Sequence, residues 1–112
     1  MSWINRPLIV ECLRELSDRA AQQRLWLSTG HGDVSSFTEA IEQLFTDSGL
    51  DGELQKRTTG LGVRAEDTLM KLRDAARHVD RAAPRDKLIE SAEMQRVREL
   101  AAASLRAIEG GT

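Results

Sequence analysis

Cysteine, proline and aromatic residues are nearly missing from this chain, and each shortage removes a class of protein. A single cysteine, Cys12, stands among 112 residues. No internal disulfide can form, so the chain is not a disulfide-stapled secreted scaffold. Only two prolines occur, Pro7 and Pro84, which leaves most of the chain open to uninterrupted helix. Two Trp, two Phe and no Tyr, against abundant Leu, Ala, Glu and Arg, favour helices over sheets. No apolar run approaches the roughly 18 residues that a spanning helix needs. The opening "MSWINRP" has no apolar stretch of signal-peptide length. The expectation is a cytoplasmic protein with no membrane association.

Charge is present but unevenly placed. The net charge is −2, which argues against nonspecific nucleic-acid binding. Residues 25–55 hold six acids (Asp33, Glu39, Glu42, Asp47, Asp51, Glu53) and no Lys or Arg. Residues 56–87 hold nine bases against five acids, a local charge of +4. The acidic segment either meets the basic one inside the fold or faces a basic partner, where complementary fields speed association.

Helical spacing recurs along the chain. Asn5 is a good N-cap and Pro7 is tolerated in a first turn, so helix one starts there. Ile9, Cys12, Leu13, Leu16 and Ala20 carry its apolar stripe towards Leu25-Trp26-Leu27. Ser36 and Glu39 have capping-box spacing at the start of helix two. Phe37, Ala40, Ile41, Leu44 and Phe45 form its inner face, and Gly49 reads as a left-handed stop with Leu50 folding back. Residues 51–62 read as loop with one short turn of helix. Helix three is expected from about Val63 to Ala82, ended by Pro84. Ala65, Leu69, Leu72, Ala76 and Val79 give it an a/d seam of roughly three heptads. That narrow seam allows close approach within the chain or across a homodimer. Leu88 and Ile89 fall in the connection that follows. Ser91 caps helix four, whose inner face is Met94, Val97, Leu100, Ala101, Ser104, Leu105 and Ile108, with Gly110-Gly111 at its end. The expected fold is all-α. Residues 1–112 form one compact domain, a bundle of about four helices with a short extra turn between the second and third.

Several letter patterns invite chemical readings. "GLGVRA" at 60–65 matches G-x-G-x-x-A, yet the polar "ELQKRTT" before it is no strand, and no βαβ unit surrounds it. A flexible helix entry is the better reading. "DSGLDG" at 47–52 resembles the start of a calcium loop, but Thr58 stands where the bidentate Glu belongs. His31 and His78 lack any Cys or His at metal-ligand spacing. Ser35, His31 and Asp33 lie too close together on one loop for an oriented triad. Cys12 has apolar neighbours and no base, so it reads as inert. No cofactor, metal site or catalytic residue is assigned.

The remaining candidates are surface charges. Arg73, Arg77 and Arg81 repeat every four residues as a basic ridge, with Asp74 and Asp80 as partial neutralisers. Glu39 and Glu42 lie on the outer face of helix two, with Asp47 at its end and His31 and Asp33 in the loop before it.

A family resemblance rests on short motifs. "LRELSD" at 13–18, followed by "QRLW" at 23–26, resembles the opening of a group of small, functionally uncharacterised bacterial proteins, best represented in actinobacteria. "LFTD" at 44–47 is similar to that group's helix ending, with Thr46 where the group often has the first of two aspartates. "EMQRVRELAAASLRAI" at 93–108 is similar to its last helix. The resemblance implies a compact all-helical domain.

The functional expectation is a non-enzymatic protein–protein interaction protein, of inhibitor or immunity type, using His31, Asp33, Glu39, Glu42, Asp47, Arg73, Arg77 and Arg81 towards an unknown protein partner. The alternative is a small hydrolase or metal-dependent enzyme built on His31, Asp33 and Asp47. A nucleic-acid binder using segment 56–87 ranks last because the chain is acidic overall.

Overall fold

The computed structural model describes residues 4–27 and 36–110. Among the described residues there are seven α-helices, one π-helical turn and no strand. The all-α expectation holds, and the helix count exceeds the four expected. The extra helices are α2, α4 and α6, and their starts fall at Asp18, Gly49 and Pro84.

Helix α1 (Arg6–Ser17) starts as its sequence dictates, with the Asn5 side chain accepting from Leu8 N at 3.1 Å and Pro7 in the first turn. It does not run on to Trp26. Asp18 adopts extended backbone and caps a separate helix, α2 (Arg19–Trp26), by accepting from Ala21 N at 3.1 Å. An Asp side chain that caps locally competes with helix continuation. The break leaves carbonyls at the end of α1 without helical partners. The amide of fully buried Gln22 supplies them, donating to Glu15 O at 3.1 Å and Leu16 O at 2.8 Å.

Ser36 opens α3 (Phe37–Glu42) as expected, accepting from Glu39 N at 3.1 Å. Ser36→Ala is expected to lower stability by about 1 kcal/mol in urea denaturation, the usual cost of losing such a cap. Helix α3 runs straight into the π-helical turn Gln43–Asp47, and Phe37, Ala40, Ile41, Leu44 and Phe45 are all buried. Gly49, at φ 80°, makes the joint to α4 (Leu50–Lys56). Buried Ser48 secures that joint by donating to Leu44 O and accepting from Leu50 N at 3.1 Å. Residues 51–62 are therefore more helical than the single turn expected.

The glycine pattern at 60–65 is a helix entry. Gly60 (φ 75°) and Gly62 (φ 102°) supply backbone angles that favour glycine. The buried carboxylate of Glu66 accepts from Thr59 N at 3.1 Å and from the Thr59 hydroxyl at 2.7 Å. Helix α5 (Val63–Ala76) follows, shorter than the expected span to Ala82. Three successive i→i+3 bonds, from the N–H groups of Arg77, His78 and Val79, tighten the chain out of the helix while keeping Val79 in the core. Pro84 caps α6 (Arg85–Glu90), a helix where a plain connection was expected, and Leu88 and Ile89 are its buried residues. Ser91 closes α6 and opens α7 (Ala92–Glu109), donating to Leu88 O at 2.8 Å and accepting from Met94 N at 3.1 Å.

Helix α7 packs between α1 and α5. All of its expected inner face is buried except Leu105, which is half-buried against the core. The seam Ala65, Leu69, Leu72, Ala76 and Val79 is at most 5% exposed within this one chain. That seam is filled by the chain's own core, the within-chain close approach that its narrowness allows. Among the described residues no helix is long and apolar enough to cross a membrane.

Candidate interaction surface

The acidic segment divides once its side chains are placed. Asp51, in the first turn of α4, is ion-paired with Arg73 of α5. The Glu53 carboxylate accepts from the Thr58 hydroxyl at 2.5 Å. Glu39 and Glu42 on α3 and Asp47 at the end of the π turn are exposed. None of these three is ion-paired with a described residue.

Helix α1 lies beside this face and adds acids to it. The Cys12 thiol donates to Gln43 Oε1 at 3.9 Å, joining α1 to the π turn. Burial pushes the Cys12 thiol up to about 11, and the charges of Glu15, Glu11 and Asp47 push it the same way. Three carboxylates from two elements thus act on one point of this face. Glu15 also accepts from the Trp26 indole N–H at 2.8 Å. The thiol is held in its protonated, unreactive form, as its apolar setting suggested.

The cations of α1 point the other way. Arg6 donates to Ile108 O at 3.4 Å, and Arg14 pairs with Glu109 at 3.2 Å, both at the end of α7. Glu11, Glu39, Glu42 and Asp47 therefore stand without an ion pair to a described residue, and Glu15 beside them is engaged with the Trp26 indole. Glu11 and Glu15 were missed in the sequence. Their i, i+4 spacing is visible there, but which side of α1 meets α3 is a tertiary fact.

The expected basic ridge does not form. It required a helix continuous to Ala82, and α5 ends at Ala76. Arg73 pairs with Asp51 instead of its neighbour Asp74. Arg77 is exposed at the C-cap of α5. Arg81, beyond the helix, sits over the Phe37 ring at 5.3 Å from its centroid. Asp80 is turned to its own loop, accepting from Ala82 N at 3.0 Å. Basic segment and acidic segment do meet: Arg73 pairs with Asp51, Arg81 covers Phe37 and Arg85 donates to Trp26 O.

His31 and Asp33 lie outside the described residues, so Asp47 is the one member of the expected His31, Asp33 and Asp47 group whose position is given. No group of His, Cys, Asp and Glu suited to a metal ion occurs among the described residues. The calcium-like letters at 47–52 are accounted for by the Gly49 joint and the Asp51–Arg73 pair. No protein-family model, curated protein or solved structure matches the chain.

Proposed function

We propose that this chain is a non-enzymatic interaction protein, of inhibitor or immunity type, whose acidic α1/α3 face docks on a basic surface of a partner protein. The observation that carries the reading is the unneutralised state of that face. Glu39, Glu42 and Asp47 have no cation among the described residues, while the neighbouring Arg6, Arg14 and Arg73 are turned to other partners. Carboxylates held together without counter-charge cost the free protein self-repulsion, and a basic partner relieves it while accelerating encounter. The reading places the protein in the cytoplasm, where the unpaired thiol of Cys12 stays reduced. The resemblance to the small actinobacterial proteins belongs to the same proposal.

The test is association kinetics with a partner recovered by affinity capture. Joint Glu39→Lys and Glu42→Lys substitution should slow association about tenfold or more at low salt and flatten its salt dependence. An unchanged rate with unchanged salt dependence overturns the reading. Both positions are exposed, so the fold should persist, and circular dichroism checks that it does.

A further inference from the structure

A second feature adjoins the acidic face through Trp26, whose indole donates to Glu15. The end of α2, the start of α3 and the stretch from Arg81 to Leu88 enclose a cleft of about 190 Å³. Its lining includes Trp26, Phe37, Ser36, Thr38, Arg81 and Arg85. Two guanidinium groups and two hydroxyls therefore face one small space, and no carboxylate is among its described lining residues.

The donor capacity there is largely unused. Arg85 donates from Nη1 to Trp26 O at 2.9 Å, one bond out of the five that a guanidinium can make. Arg81 rests on the Phe37 ring and makes no hydrogen bond or ion pair with a described residue. The Ser36 oxygen accepts from Glu39 N, and its O–H makes no donation to a described residue. The aromatic pair fixes the floor: Trp26 and Phe37 meet edge to face, with centroids 6.1 Å apart and planes at 75°. Buried rings beneath and a backbone carbonyl holding Arg85 pre-position the cations, which lowers the ordering cost of binding.

We propose that this cleft is a binding site for a small phosphorylated ligand, held by Arg81 and Arg85 with help from the Ser36 and Thr38 hydroxyls. Two fixed positive charges match a phosphate dianion, and the planar guanidinium fork fits phosphate oxygens two at a time. The volume holds a phosphoryl group with a small organic remainder and is too small for a polymer or a protein segment. This site does not depend on the acidic face, and either proposal can fail alone.

Trp26 provides the readout. The chain has one other tryptophan, Trp3, so a Trp3→Phe background leaves the cleft's indole as the sole fluorophore. Inorganic phosphate and phenyl phosphate are titrated into that protein, with potassium chloride at matched ionic strength as the control. A saturable change in Trp26 emission with both phosphates, absent with chloride, is expected, with phenyl phosphate binding more tightly. Arg81→Gln should weaken binding about tenfold or more, the loss of one charge-assisted contact. Arg85→Lys keeps the charge and the fold but loses the fork, and should weaken it as well. No saturable response to either phosphate, or equal affinity in Arg81→Gln, overturns the proposal. A response to inorganic phosphate that chloride reproduces also overturns it, because it is then only screening of surface charge.

Discussion

Replacing Arg98 with methionine is expected to lower the free energy of unfolding by about 3 kcal/mol. Arg98 lies on α7 and is 8% exposed. Its Nη1 donates to Gln22 Oε1 and to Ile89 O, both at 2.9 Å, and its Nε and Nη2 donate to Gln95 Oε1 at 3.2 and 3.0 Å. Gln22 is fully buried and is itself holding the open end of α1, while Ile89 O belongs to the end of α6. One guanidinium thus satisfies polar atoms at two helix breaks. Burial pushes the Arg98 guanidinium below its usual range, with repulsion from Arg19 adding to it. It remains charged at neutral pH, and its hydrogen bonds offset the desolvation. Methionine fills similar space and removes every donor, which strands the Gln22 and Ile89 oxygens in the core. Urea denaturation measures the loss. The double variant with Gln22→Met should show coupling of about 1 kcal/mol or more between the two positions, because the single variants break the same bond. An unchanged denaturation midpoint in Arg98→Met would sink this account.

Trp26→Ala should cost about 4 kcal/mol, in the range for truncating a large buried aromatic. Trp26 is 1% exposed, packs edge-on against Phe37 and donates to Glu15 Oε2 at 2.8 Å. Trp26→Phe separates the two contributions. It keeps an aromatic body and loses the N–H, so its cost should be about 1–2 kcal/mol. If thermal denaturation shows Trp26→Ala within error of Trp26→Phe, the indole packs less than its burial implies. The side chain matters beyond stability because it floors the proposed phosphate cleft and donates to Glu15 beside the proposed docking face.

How much of this was legible in the sequence depends on how local the cause is. Asn5, Ser36, Gly49 and Ser91 do what their letters suggest, because a cap or a left-handed joint is decided within a few residues. The apolar faces around Leu44, Leu69 and Val97 were legible for the same reason: helical period alone selects them. The break at Asp18 was not. It carries no glycine or proline, and it holds because Gln22 supplies the exposed carbonyls and Arg98, far along the chain, supports Gln22. The end of α5 at Ala76 was hidden in the same way, and with it the fate of Arg81, which leaves an imagined ridge for an aromatic ring. Of the candidate surface, Glu39, Glu42 and Asp47 were visible as a stretch without cations. Glu11, Glu15 and the Arg81–Arg85 cleft needed the packing of separate helices.

The position of α7 between α1 and α5 bears on the order in which the chain acquires its structure. Arg6 and Arg14 reach Ile108 and Glu109, and Gln22 reaches Arg98 across 76 positions of sequence. Helix α1 precedes α7 in the chain, so it is synthesised before the surface that covers it. Until α7 leaves the ribosome, the apolar stripe of Ile9, Leu13 and Leu16 and the seam of α5 both lack their cover. The α1 and α5 faces therefore stay uncovered during synthesis until α7 follows them, and the long-range contacts that close them form only then.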